Sequence, residues 1–296
     1  MAEAQTIPAM PPSAAAPILE PMVPGSLLTL APLVLAQSIT LSAALSHHTE
    51  HFAYRFENPS SFDTAELVPH FFEQRYDVVP LWFQTTARYR FGTAVSTSFG
   101  VSLRERTNGS DIDTFLQPSG DVVTSGSDGD VMLRSWTLSQ GFALARKGAW
   151  SFDATLDYRR DSAEFPPDDR IVTHTLPPSV VRTFITDRET TVSQTFALTF
   201  VAEGERALSD RWHMAFAAGV QPLIRARLLV RLPDKYPGVD LVFNAISAGA
   251  TGRWTVEHRA RRFRAGITLG GAAAWGYRES SAYSLRSFSV ALFAGM

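Results

Sequence analysis

Two stretches in the last third of the chain alternate residue by residue, and the alternation is inverted relative to that of a soluble sheet protein. In the first, Trp212, Met214, Phe216, Ala218, Val220, Pro222, Ile224, Ala226, Leu228 and Val230 form an apolar row. The positions between them, His213, Ala215, Ala217, Gly219, Gln221, Arg225 and Arg227, are small or polar. The second sets Phe263, Ala265, Ile267, Leu269, Gly271, Ala273, Trp275 and Tyr277 against Arg264, Gly266, Thr268, Gly270, Ala272, Ala274, Gly276 and Arg278. A period of two means strands whose side chains point alternately to two faces. A soluble sandwich buries its bulky face against a second sheet, whereas here the opposite face is too small to be a solvated surface and carries scattered arginines. Bulky groups toward lipid and small polar groups toward a narrow lumen meet the requirement of a membrane-spanning antiparallel β-barrel.

The rest of the chain fits ten such strands, at about 38–56, 78–91, 95–104, 130–146, 150–159, 190–201, 211–230, 241–256, 263–277 and 284–296. The connections alternate in length. Short turns fall near Gly92, Gly148, residues 205–210 and residues 257–262, and longer loops at 57–77, 107–129, 161–189, 231–240 and 278–283. Short turns on one side and long loops on the other are a property of outer-membrane barrels, and ten strands bring both termini to the short-turn side. Trp150, Trp212 and Trp254 stand beside short turns and Trp136 and Trp275 toward the long loops, where two interfacial girdles belong; Trp82 has lumen parity. The fold class is therefore all-β, a transmembrane up-and-down barrel of about ten strands spanning 38–296, located in the outer membrane. The competing reading is a soluble all-β binding protein.

Residues 1–37 contain neither Lys nor Arg, are rich in Pro and Ala, and carry an apolar run from Leu27 to Ala36. They read either as a signal-like segment without its basic n-region or as a Pro-rich tail, which can lie in the barrel mouth as a plug. The net charge of −2 gives no drive toward nucleic acid. The absence of cysteine excludes a disulfide framework, a thiol nucleophile and a thiolate metal site. The final row Phe288, Val290, Leu292, Ala294 and Met296 resembles the C-terminal signal read by the outer-membrane assembly machinery, although such signals usually end in an aromatic.

Candidate lumen or ligand residues are Arg88, Arg104, Asp153, Asp157, Arg159, Arg225, Arg227, Arg264 and Arg278. Either these charges pair and fill the lumen, or the arginines select a small anionic solute; arginines facing outward near the loops suit lipopolysaccharide phosphates. His47-x-x-Glu50-His51 matches an inverted zinc-protease pattern. That chemistry needs a helix, and in a strand the two histidines stand about 13 Å apart, so no metal and no cofactor are expected.

The predicted loop 107–129 carries Asp111-Ile112-Asp113. Strand number and this spacing resemble the omptins, ten-stranded outer-membrane proteases. The resemblance implies Asp111 and Asp113 as half of a water-activating site completed by an Asp-x-His pair in the fourth outer loop. Here that loop, 231–240, has no histidine, so the general base is missing. Three functions follow: a narrow channel or structural, surface-binding barrel; an outer-membrane hydrolase with an omptin-like site; or the soluble binding protein.

Overall fold

The computed structural model describes residues 39–57, 69–91, 93–103, 106–116, 121–165, 169–174, 182–185, 188–231, 238, 240–261, 263–277 and 281–296. They form strands β1 (Ile39–Glu57), β2 (Pro69–Val78), β3 (Leu81–Phe91), β4 (Thr93–Ser102), β5 (Arg106–Leu116), β6 (Val122–Lys147) and β7 (Trp150–Phe165). After them come β8 (Asp169–His174), β9 (Arg182–Ile185), β10 (Glu189–Ala207), β11 (Trp212–Arg231), β12 (Asp240–Ala260), β13 (Phe263–Gly276) and β14 (Ser281–Gly295).

Neighbouring strands pair antiparallel in the order β14-β13-β12-β11-β10-β7-β6-β4-β3-β1, and β14 pairs with β1. Ten strands therefore close a ring with no free edge, which is how a membrane barrel satisfies every backbone group without water. The closing seam runs from Ser42↔Gly295 to Phe56↔Ser281 and is fastened at the turn end by Leu41 and Met296, which exchange two backbone hydrogen bonds of 2.9 Å.

The remaining strands lengthen this ring at the long-loop end. β1 pairs with β3 up to His47 and with β2 from Glu50 onward, the change falling at Val79-Pro80, where His48 donates to the Pro80 carbonyl at 3.0 Å. β5 bridges β2 and β6, so β4 and β5 are two parts of one wall strand. β8 continues β7 beside β6 and pairs with β9. Much of the predicted first, second and third loops is thus paired backbone, a correction to the sequence reading. Asp111 and Asp113 lie in β5, opposite Gln74 and Phe72 of β2, not in a solvated loop.

The outward row of β7 explains where lipid sits: Trp150, Phe152, Ala154, Leu156 and Tyr158. At about 3.3 Å per residue and a tilt of about 40° this row covers about 20 Å, close to the height of a membrane barrel's apolar band. Phe142, Phe216, Val220, Ile267, Phe288 and Leu292 continue the band around the ring, each 43–59% exposed. Apolar groups this exposed over one continuous belt set aside the soluble reading. Trp150 lies flat on Gly204 of the adjacent strand, where a Cβ would stand 3.1 Å from two of its ring atoms. Trp212, Trp254 and Trp275 also face outward. Trp136 joins an outward aromatic chain with Tyr158 at 4.9 Å, extended from Tyr158 to Phe196 at 4.7 Å.

One irregularity changes which residues face the interior. The ladders shift between Leu198 and Phe200 of β10 and between Gln221 and Ile224 of β11. Pro222 and Leu223 both point outward, so the parity of β11 reverses. Pro222 has no N–H to give to a ladder, and a bulge is where a strand tolerates it; its carbonyl accepts from the Tyr277 hydroxyl at 2.5 Å. Beyond the bulge Ile224, Ala226, Leu228 and Val230 are buried inside, between 0% and 2% exposed, while Arg225 and Arg227 are exposed. The expectation of one uninterrupted lipid-facing row with Arg225 and Arg227 in the lumen is thereby corrected.

Candidate functional site

The barrel interior is divided into three levels. At the turn end and through the lipid band lies a polar cavity of about 930 Å³. Its walls are small side chains, among them Ser42, Ala44, Ser96, Ser98, Thr251 and Ser289, which is why narrow strands can enclose it. Charged residues are mostly paired: Arg253 with Glu203, and Arg259 with Glu257 and, at 2.6 Å, with Glu205. Asp157 accepts from the Thr199 hydroxyl at 2.8 Å and from Thr155 at 3.3 Å. Arg88, Asp153 and Arg264 also line this cavity.

Above the cavity a compact ion network crosses the interior. Arg159 donates through Nη1 to Glu50 at 2.8 Å and through Nε to both oxygens of Asp161 at 2.9 and 3.0 Å. Asp161 also accepts from Ser135 at 2.5 Å and Ser193 at 3.3 Å. His48 stands 3.3 Å from the second Glu50 oxygen and bonds Ser46 at 2.7 Å. The Arg159 guanidinium lies 5.1 Å from the Phe52 ring centroid and 5.5 Å from that of Trp82. Side-chain exposures of 16% for Arg159 and 5% for both carboxylates put this charge in low dielectric, where it survives because each partner is hydrogen-bonded. Five wall strands meet here: β1, β3, β6, β7 and β10.

Beyond the network the interior is a hydrophobic core. Phe52 stacks on Tyr76 at 4.7 Å, Phe56 on Phe243 at 4.8 Å, and Tyr54 meets Tyr283 at 5.2 Å. Leu228, Val131, Leu133 and Ala245 fill between them, each 3% exposed or less. One polar cluster is embedded in this core: Tyr76 donates to Gln74 at 3.1 Å and shares a hydrogen bond of 3.0 Å with Thr191, and Gln74 donates to Glu189. Asp111, 3% exposed, faces the same cluster from β5. Burial pushes the Tyr76 hydroxyl well above its ordinary pKa, keeping it a donor.

Of the predicted lumen residues, the structure brings Arg88, Asp153, Asp157 and Arg264 to the cavity and Arg159 to the network, and turns Arg225 and Arg227 outward. Arg104, Arg278 and the Asp113 side chain lie outside the described residues. The zinc-like motif divides: Glu50 is inward and buried, whereas His51 is exposed and bonds Asp77 at 2.5 Å. Glu50, Asp161 and the Gln74–Glu189 pair escaped sequence reading. Glu50 sat inside the discounted histidine motif, and Gln74 and Glu189 fell within or at the edge of stretches read as loop.

The fold is that of the outer membrane protease OmpT from Escherichia coli, with a TM-score of 0.59 over 88% of this chain and 96% of that one, at 6% identity. Weaker matches are the translocator domain of the autotransporter NalP from Neisseria meningitidis (TM-score 0.38, 9% identity, 87% of each chain) and Neisserial surface protein A (0.32, 10%, 87% of this chain and 96% of that one). No family model and no curated protein matches the chain.

Proposed function

We propose that this protein is an outer-membrane barrel with a closed lumen, a rigid membrane-anchored mount for a binding surface at its long-loop end. The packed core above the Arg159 network carries this reading: a conduit needs a hydrated path, and here buried aromatic and branched side chains fill the interior above the cavity. The described arginines do not form an anion-selecting ring: Arg88 and Arg264 stand on the cavity wall below the seal, Arg159 is bonded to carboxylates, and Arg225 and Arg227 are turned outward. Together with outward Arg160 they suit phosphate groups of surrounding lipopolysaccharide, and the outward row of β14 suits the assembly machinery.

The chain has no cysteine, so single cysteines report sidedness cleanly. Glu164→Cys at the long-loop end should react with an impermeant maleimide on intact cells, whereas Arg211→Cys at a short turn should react only after the outer membrane is permeabilised. Proteoliposomes should show no sugar-driven swelling. Labelling of both positions on intact cells, or swelling with small sugars, would remove the proposal.

A hydrolase reading is favoured by one observation, the two carboxylates Asp111 and Glu189 around Gln74 and Tyr76 inside the long-loop end. If it holds, Asp111→Asn abolishes cleavage of surface peptides or lipids by the folded barrel; absence of any cleavage by the wild type sets it aside.

A further inference from the structure

We propose that the turn-end cavity contains a binding site for a small multiply charged oxyanion, a phosphate-bearing solute, held between Arg88 and Arg264. Both line the cavity, and neither has a carboxylate within ion-pair distance among the described residues. The Nε of Arg264 is buried with no hydrogen-bond partner among them, an arrangement that costs free energy until an acceptor arrives. Two guanidiniums that face one space without an anion are each other's penalty, and with one they become its fork-shaped clamp.

The wall between them is built to let this happen. Arg264 on β13 and Arg88 on β3 are separated by β14 and β1, about 14 Å along the wall, a gap two long side chains can close from both sides. Arg264 pairs with Gly295, which pairs in turn with Ser42. A Cβ on Gly295 would stand 3.2 Å from Arg264 Nε, 2.7 Å from the Leu41 carbonyl and 2.9 Å from Ser42 Cβ. The missing side chain therefore leaves the arginine its place against the wall. Ser96, opposite Arg88, and Ser42 add hydroxyls to the same surface.

Other charges facing these arginines leave the site available. Glu203 and Glu257 attract Arg264 but already hold Arg253 and Arg259, and Asp153 attracts Arg88 without reaching ion-pair contact. Because the cavity reaches the turn end, where Ala149, Arg259 and Arg264 stand, the solute would enter from that side. The site is independent of the surface role: a barrel sealed above can still hold an anion below.

The test is titration calorimetry of the full-length barrel, refolded in detergent, with inorganic phosphate and pyrophosphate, and with chloride at matched ionic strength as reference. The expected result is saturable binding of one anion per barrel, tighter for pyrophosphate, weakened roughly tenfold or more by either Arg88→Gln or Arg264→Gln and weakened less by Arg264→Lys, which keeps the charge but not the fork. Arg211→Gln, on an exposed short turn outside the cavity lining, should leave it unchanged. Absence of saturable binding by the folded wild type, or equal binding by Arg88→Gln/Arg264→Gln, overturns the site. Binding lost in Arg225→Gln/Arg227→Gln but kept in Arg88→Gln/Arg264→Gln would also overturn it, by assigning the anion to the outward, lipopolysaccharide-facing arginines. Folding of each variant is checked by heat-modifiable migration, and Arg88→Gln, on an exposed side chain, keeps the test decisive if Arg264→Gln does not fold.

Discussion

Replacing Glu50 by alanine should destabilise the barrel far more than the loss of one surface ion pair. Glu50 is 4% exposed and takes one of the three hydrogen bonds that Arg159 donates to carboxylates, the other two going to Asp161. Removing one partner from a buried pair typically costs about 3–5 kcal/mol, because the remaining charge is left without compensation in low dielectric. Arg159 keeps Asp161, so the lower end, about 3 kcal/mol, is expected, a shift of about a hundredfold in the folding equilibrium. Urea unfolding in phospholipid vesicles, followed by tryptophan fluorescence, gives this as a change in midpoint at constant slope. A double-mutant cycle separates coupling from lost packing. Glu50→Ala combined with Arg159→Met should be less destabilised than the two single losses summed, by about 1–3 kcal/mol. Additive losses, or a Glu50→Ala cost below about 1 kcal/mol, would show that the network is not a coupled, dry lock.

Leu228→Ala, inside the core, should cost about 2–5 kcal/mol, whereas Leu156→Ala on the lipid face removes less buried contact and should cost clearly less in the same unfolding assay. Deleting Pro222 and Leu223 together would set Ile224 directly after inward-facing Gln221, so regular alternation would turn Arg225 and Arg227 into the core, whereas deleting Leu223 alone keeps every face. Loss of heat-modifiable migration is expected for the double deletion only, and equal behaviour of the two would contradict the bulge. The Arg231 guanidinium, bonded to Asp240 at 2.6 Å, holds that carboxyl below its ordinary range. With the folded pKa depressed, the contact's contribution is full above the unfolded value and fades as pH falls through the folded one. Amide protection factors at Leu229–Arg231, taken relative to the intrinsic exchange rate at each pH, should therefore fall below about pH 4, with little change between pH 6 and 8, and 1 M salt should mimic part of the effect.

The ring itself was legible because lipid enforces it. Rows such as Phe263–Tyr277 and Trp150–Tyr158 have no alternative use in a polar environment, and the short turns at Gly148 and near Arg261 fix the order. Beyond Gln221 the same rule misled. Ile224, Ala226, Leu228 and Val230 are apolar whether they face lipid or a core, so a parity reversal leaves their pattern unchanged. The signal was Pro222 in mid-strand, followed by two arginines that neither a core nor a lipid face accepts at mid-height. The segments 69–78 and 106–116 read as loop because Gly109, Asp111, Gln74 and Glu73 are poor strand formers, yet they pair because the ring below fixes their register. The interior lock was invisible for another reason. Arg159, Glu50 and Asp161 converge from positions 109 residues apart and two apart, and only closure of the ring sets them side by side.

Single-channel recording of the refolded wild type in a planar bilayer, under a salt gradient, bears most directly on the closed lumen. A correctly folded barrel, shown by heat-modifiable migration, should stay silent at moderate voltage. Discrete steps from that same preparation, with a reversal potential shifted toward anions, would mean that the core and the Arg159 network do not seal the interior.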